Sequence, residues 1–555
     1  MAAPKVRNQA VRKEATSGQD FFDRIEYFLG ARQKVIFLIC TALTAVFSFL
    51  LFDGRLSFAT DDATYVLNAY NLIQKDVYPN FQGALYPLVL GFFISVFDAN
   101  ILFLKTLSVF FIVSHSVLLY FALRGRMPYL LVFSALLVSS VNAYILVYAS
   151  STFSEGFFMF MQALSLYVFF KLLDKVEAPG MRLKNTIPHW LLFGFVFLLL
   201  SITKNVAIVA IGAVFLFFLL RKEWINAVIS LLAFGLFKFI YEMIVRSAYG
   251  TMPNEQMQMV LQRDPKDPSK GLADMTDFIE RFTTNFGNYF SVHVFKMLGL
   301  RGSGITSLFT VEKMKELNEP LAMEASLLYG LIFIILAALA LYYSFKHNRF
   351  VLYILLYFGA STFATFIALH TFWNQDRLVL IFLPLIFLGM CYGLYKLAQA
   401  KYSVLKPILA GFIILCLLLQ LGTTFKAVSD NNRQFSSYRK GNMYYGYPAP
   451  IQNFAIAAEW AGENIKEPGL IATGKPSEAV AFGRQMKFTR VPSPISQNAD
   501  SVLAELNKRN IKYFLIDGFD GRAGQAAQII YQKYGDNKVK VLFQEGDALV
   551  VSIED

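Results

Sequence analysis

Charge is scarce in this chain of 555 residues: 16% are Asp, Glu, Lys or Arg, against 56% that are apolar. A soluble protein of that length needs a more charged surface, so the composition excludes a wholly soluble protein and puts most of the chain in lipid. The mean hydropathy of +0.47 points the same way. Cysteine is nearly absent. Cys40, Cys391 and Cys416 all lie inside apolar runs, which excludes a disulfide framework and any cysteine-based metal spacing. A cleavable signal pattern is also missing: about 34 polar or amphipathic residues precede the first apolar run, which then serves as its own insertion signal. No internal repeat is visible, which argues against an inverted-repeat transporter. The net charge of +12 is spread over loops rather than gathered on one face, so nucleic acid is excluded as a partner.

What the chain does have is long Phe/Leu/Ile runs between clusters of Lys and Arg. Runs of roughly 17–25 apolar residues, long enough to cross a bilayer, lie near 35–52, 101–123, 128–148, 155–173, 189–203, 205–220, 224–246, 325–345, 350–370, 378–396 and 407–425. The segment 86–97 is apolar but too short to cross. Leaving it out puts Arg124/Arg126, Lys175/Arg182/Lys184, Arg221/Lys222, Lys346/Arg349 and Lys396/Lys401 on the same side as the basic N-terminal tail, the cytoplasm. Counting it as a span would place all of them outside. The expectation is a polytopic α-helical membrane protein of about eleven spans, with the C-terminus outside. A cytoplasmic tail covers 1–34, with an interfacial helix over Gln19–Lys34. The transmembrane domain covers 35–425, with outer loops at 53–100 and 247–323, and a soluble domain follows at 426–555. In that domain Gly469–Thr473, Met486–Val491, Ile511–Asp517, Val539–Phe543 and Ala548–Ile553 read as strands. Helical patterns at Ser501–Arg509 and Ala523–Tyr534 alternate with them, the signature of a small α/β unit.

Asp61 and Asp62 stand just beyond the first span, in Asp61-Asp62-x-x-Tyr65. Adjacent carboxylates at a membrane face can raise each other's pKa and act as a general base. A plainer reading makes Thr60 a helix cap and lets both acids favour the first turn. Glu155 opens the fourth span, either as a cleft carboxylate or as another helix-start acid. Lys105, Lys204 and Arg377 fall at outer ends of different spans, where basic residues are less expected. They converge on an anion, or they snorkel to lipid headgroups. Lys238 and Glu242, one turn apart inside the seventh span, read as a pair that neutralises itself. Arg263, Arg281, Lys296 and Arg301 read mainly as solvated residues of the second loop. His370, beside Trp373, is an interfacial anchor or a cleft residue, and His293 has no set of metal partners.

Several short motifs recur in one order along nearly the whole chain. Asp61-Asp62-x-x-Tyr65 is followed by Tyr78-Pro79 and Leu85-Tyr86-Pro87-Leu88; then come Leu104-Lys105-Thr106-Leu107, Thr152-Phe153-Ser154-Glu155 and Thr203-Lys204. Asp376-Arg377-Leu378, running into Leu383-Pro384-Leu385, completes the series. Together they resemble the GT-C fold glycosyltransferases related to protein O-mannosyltransferases and to the lipid A aminoarabinose transferase. The resemblance implies transfer of a sugar, with inversion, from a polyprenyl-phosphate donor to an acceptor hydroxyl on a lipid, protein or glycan. It implies the extracytoplasmic face of a bacterial inner membrane. Asp61 or Asp62 would be the base or orient the acceptor, Glu155 would share the cleft, and Lys105, Lys204 and Arg377 would hold the donor phosphate. Tyr65, Gln82, Tyr86, Arg301 and His370 are further cleft candidates. No cofactor is favoured, although Asp61, Asp62 and Glu155 are able to supply ligands to Mg or Mn. One departure stands out: the family's Lys/His-Pro-Pro in the first loop aligns with Gln82-Gly83-Ala84. The rival expectations are a lipid or sugar transporter or flippase, and a non-catalytic scaffold of the same fold.

Overall fold

The structure is a computed structural model. It describes residues 21–554 apart from 57–60, 98–99, 177–182, 251–254, 266, 303–323, 401–403, 443, 486, 493–494 and 519–520. Thr60, the expected helix cap, therefore lies outside the described residues. Among them, eight helices are long and apolar enough to cross a membrane, or nine if the bent pair Tyr129–Ser140 and Ala143–Ser150 is one span. That is fewer than the eleven or so expected. All eleven expected segments are helical, but two fall outside this count. Leu183–Ser201 opens on Lys184, Asn185 and Thr186 and contains Pro188, while the other is a short 3₁₀ turn, Asn205–Ile208, continued by the 12-residue helix Val209–Leu220. Both are packed into the bundle, the first against Ser154–Val176 and Trp224–Tyr249, the second against Arg349–Ala368. At 19 residues the first is about 28 Å long, close to the thickness of a bilayer's hydrocarbon core.

The 55° bend after Ser140 has a local cause. Asn142 is extended and its side chain caps the next helix by accepting from Ile145 N, while its amide donates to Met297 O at 3.0 Å. The loop after the first span holds two helices packed on each other, Asp61–Lys75 and Leu85–Phe97. The second buries Tyr86, Leu90 and Ile94 on one face and exposes Phe92, Val96 and Phe97 on the other, a half-buried apolar helix too short to span, as its length predicts.

The last long helix, Leu405–Arg439, has 35 residues and runs straight through the expected boundary at 425. Its length of about 52 Å exceeds a bilayer core, so it runs on past the end of the first span, where Asn431 Nδ2 donates to Leu50 O at 3.0 Å and Phe52 O at 2.9 Å. Beyond it lie β1 (Leu470–Thr473), β2 (Phe488–Arg490), β3 (Ile511–Ile516), β4 (Val539–Glu545) and β5 (Ala548–Ile553). The sheet order is β2-β1-β3-β5-β4, with β1 parallel to β2 and β3, and β5 antiparallel to β3 and β4. All five expected strands are present. Two helices were not foreseen, Ala449–Asn464 and Pro476–Gly483. Their buried faces are built largely from Ala and Gly, which leaves little apolar periodicity to read. The small residues let the backbones touch: a Cβ on Gly462 would stand 2.1 Å from Gly483 O. Pro476–Gly483 also packs on the first-loop helix, with Ala481 against Ala63 and Leu56.

Candidate active site

Consecutive residues of an α-helix point about 100° apart, so Asp61 and Asp62 cannot share one face. Asp62 is fully buried. Its Oδ1 accepts from both the backbone N and the Oγ1 of Thr152, each at 2.5 Å, and Thr152 Oγ1 also reaches Asp62 O at 2.8 Å. Lys105, expected at the donor phosphate, lies on this sealed side. Its ammonium donates to Asp53 O at 3.0 Å and to Arg55 O. The loop after the first span folds back over the start of the Ile101–Leu123 helix, so its carbonyls occupy the space that a ligand would need. Asp53 and Arg55 pair at 2.6 Å, both almost wholly buried, and Tyr447 of the soluble domain donates to Leu56 O.

Asp61 faces the other way, into a cavity of about 530 Å³. Its Oδ2 meets Arg377 Nη2 at 2.5 Å and its Oδ1 accepts from Gln82 Nε2 at 3.3 Å. Across the cavity Glu155 Oε1 accepts from Lys204 Nζ at 2.8 Å, with Arg377 Nη1 4.0 Å from the same oxygen. Four charges from four separate elements thus alternate: Asp61, Arg377, Glu155, Lys204. The guanidinium is fixed by Gln375, which accepts from Nε at 2.6 Å, and lies over the Phe153 ring. Tyr65 lines the wall, its hydroxyl 2.9 Å from Ser154 Oγ. Glu155 Oε2 and Gln82 Oε1 are buried with no hydrogen-bond partner among the described residues. Such orphaned acceptors are costly, and at the wall of a cavity they mark places where a ligand or water donates. An apolar flank including Val260, Leu369 and Ile381 faces the charges.

Burial pushes the Asp61 carboxyl up, but the Arg377 charge and hydrogen bond, aided by Gln82 and Lys204, outweigh it and hold the carboxyl below its usual range. Burial likewise opposes the charge on Arg377, and Asp61 and Glu155 more than compensate, so its pKa is raised.

The loop bearing Gln82 is strapped to the turn bearing Lys204. Leu85 N donates to Ile202 O at 2.9 Å, and Asn205 Nδ2 to Phe81 O at 3.1 Å. Between them Gly83 has φ +99°, and a Cβ there would meet Thr203 O at 2.5 Å. Proline, fixed near φ −65°, cannot take that position. The departure at Gln82-Gly83-Ala84 therefore has a steric cause.

Of the other sequence candidates, Tyr86 is fully buried behind Tyr65, its ring packed on Tyr65 and Phe157. Arg301 lies away from the cavity, donating to Ser291 O at 2.8 Å and to Glu324 O. His370 sits behind the wall, its Nε2 3.1 Å from Met259 O, where it pins the Glu255–Leu261 helix beside the cavity. Lys238 and Glu242 pair with each other at 3.3 Å, as their spacing predicts. His293 meets Asn374 at 2.7 Å. Among the described residues no group of three or more His, Cys, Asp or Glu is suited to hold a metal ion. Sequence reasoning missed Lys475, Tyr148, Gln256 and Trp373, all of which line the cavity. Lys475 comes from the turn after β1 in the soluble domain. A Gly-Lys-Pro turn after a strand is legible in the sequence, but nothing there says where it docks.

No family model matches the sequence, and no curated protein does so. Solved structures do match in fold. The apo oligosaccharyltransferase of Archaeoglobus fulgidus superposes with a TM-score of 0.55 at 12% identity, covering 94% of this chain and 74% of that one. ArnT from Cupriavidus metallidurans bound to undecaprenyl phosphate gives a TM-score of 0.52 at 12% identity, covering 94% of this chain and 98% of that one. The A. fulgidus oligosaccharyltransferase AglB, in complex with an inhibitory peptide and a dolichol-phosphate, gives 0.51 at 12% identity, covering 87% of this chain and 69% of that one. At that identity the likeness is one of architecture: a polytopic helical bundle of the GT-C type with a soluble domain at its C-terminal end.

Proposed function

We propose that the protein is a GT-C membrane glycosyltransferase that moves a sugar, with inversion, from a polyprenyl-phosphate donor to an acceptor hydroxyl on a lipid, protein or glycan. The observation that carries this reading is the cavity itself, which sets Asp61, Arg377, Glu155 and Lys204 in mutual contact opposite an apolar wall. A phosphate on a long isoprenoid needs both surfaces. Two of the three similar solved structures hold dolichol-phosphate and undecaprenyl phosphate, carriers of that chemical class.

In the reaction the acceptor oxygen attacks the anomeric carbon from the face opposite the phosphate. The bond from that carbon to the phosphate oxygen breaks, its electron pair stays on the phosphate, and the acceptor proton passes to Asp61. Arg377 and Lys204 neutralise the charge that grows on the leaving phosphate. Arg377 also couples the two events. While it faces Asp61 it keeps that carboxylate ionised and weakly basic; drawn toward a phosphate, it releases Asp61 to take a proton. Glu155 holds Lys204 in place and offers its second oxygen to the sugar or acceptor.

A Mg or Mn ion fits this donor set poorly. A hard cation takes about six oxygen ligands, whereas Asp61 and Glu155 are each engaged by a cationic side chain and Asp62 is turned away. The self-neutralised Lys238–Glu242 pair lends a flippase no support. The basic loops on the opposite side of the spans support a cavity on the extracytoplasmic side, the bacterial inner membrane being the expected site. The test is sugar transfer by the purified protein, with the product's anomeric configuration read by NMR. Inverted product from wild type and none from Asp61→Asn is expected, whereas undiminished transfer by Asp61→Asn would refute the assignment.

A further inference from the structure

Within the parallel half of the soluble domain's sheet, β2-β1-β3, strand β1 ends in a turn outside its carboxyl end, the place where α/β folds bind ligands. That turn faces the membrane domain. The Pro476–Gly483 helix following β1 docks on Asp61–Lys75, with Ser477 Oγ 3.5 Å from Thr64 Oγ1, one helical turn from Asp61. The docking sets Lys475 among the residues that line the cavity.

The three cavity cations differ in what they face. Arg377 meets a carboxylate oxygen at 2.5 Å and Lys204 at 2.8 Å. The Lys475 ammonium donates no hydrogen bond among the described residues, and the carboxylate oxygen it faces, Glu478 Oε1, stands 3.9 Å away. Glu478 itself is buried, which pushes its carboxyl up to about 7, so near neutral pH it is only partly charged. The four membrane-domain charges cancel one another. Without Lys475 an arriving anion would meet a cavity of no net charge.

We infer that Lys475 binds the phosphate of the polyprenyl carrier, so that the soluble domain supplies part of the active site. This rests on the glycosyltransferase reading, in which the phosphate is the one obligatory anion. The ammonium adds to Arg377 and Lys204 a third positive group, held by a different domain. Assembly of the donor site then depends on the soluble domain being docked.

The experiment uses the full-length protein in detergent and measures binding of undecaprenyl phosphate, of undecaprenol and of inorganic phosphate. Wild type is compared with Lys475→Gln, Lys475→Met and Lys475→Arg, each checked for an unchanged melting temperature. Loss of a hydrogen bond to a charged group is expected to weaken undecaprenyl phosphate binding about tenfold or more in the two neutral variants. Lys475→Arg keeps most of the affinity, and undecaprenol binds all four proteins alike. Inorganic phosphate showing the same dependence on Lys475, at weaker affinity, supports the headgroup contact. Equal binding of undecaprenyl phosphate by wild type and the neutral variants overturns the inference and leaves the glycosyltransferase reading standing. Wild type that binds none of the probes overturns both.

Discussion

Asp61 and Asp62 are neighbours in one helical turn and chemically identical, yet they belong to two different polar clusters. Asp62 looks inward to Thr152, on the side where Lys105 clamps the first-loop carbonyls and Asp53 pairs with Arg55. Asp61 looks into the cavity, where Glu155 and Gln82 each keep an oxygen without a partner among the described residues. Both clusters are rich in ionisable groups. The difference between them is that the sealed one makes its bonds within the protein, while the open one leaves bonding capacity facing a space large enough for a ligand. Charge at the membrane face is therefore a poor marker of a site unless the cavity is known.

The sharpest way to break this contrast is to neutralise each acid in turn. Asp61→Asn should lower turnover by on the order of 10²–10⁴-fold with little change in melting temperature. Asp62→Asn should behave oppositely, costing about 1–3 kcal/mol of stability at its Thr152 bonds while the folded fraction still turns over. Matching activity losses at unchanged stability from both variants would erase the distinction.

Next in size is the effect of Arg377→Gln on the pH profile. Because the folded Asp61 carboxyl is held below its ordinary value, the ion pair's contribution is present above the unfolded carboxyl pKa of about 3.9 and is lost only as pH falls through the lower folded value. The acid limb of kcat/KM for wild type should thus lie below the ordinary carboxylate range. Removing the guanidinium should move it upward, besides slowing turnover. An acid limb that stays where it was in the variant would remove Asp61 from the role of base.

Glu478 is buried just behind cavity-lining Lys475, and the sign of its effect is reversed. A carboxyl raised to about 7 costs stability progressively as pH climbs from about 4.3 through 7. Glu478→Gln should melt higher than wild type at pH 8, by up to about 3 kcal/mol, and match it near pH 4. A pH-independent difference would mean that the group is ionised throughout. Smallest is Gly83→Ala, expected to cost about 1–3 kcal/mol through its positive φ and the approach to Thr203 O. It should raise KM through Gln82 more than it lowers kcat, and steady-state kinetics would separate the two.

Much of the architecture was legible in the chain. The short half-buried apolar helix and all five strands follow from apolar run length and alternation, which are local properties. Asp61, Glu155, Lys204 and Arg377 were also legible, as polar residues at the ends of apolar runs. Other features were not. Lys105 carries the same signal as Lys204, but the loop folded over it makes it a clamp. Lys475 lies more than four hundred residues from Asp61 in sequence, on a turn whose neighbouring helix buries mostly small residues and so leaves little periodicity.

The order of hydrophobic and polar stretches, read alone, decided that this is a membrane-embedded bundle with acids at the ends of its spans and an α/β domain beyond, because solvent preference is carried by each residue and its near neighbours. Which acid of the pair faces the cavity, which lysine is free to meet an anion, and why proline is missing at position 83 were decided only in three dimensions. Those outcomes depend on helix rotation and on backbones meeting across long stretches of chain, and neither is encoded in any local window.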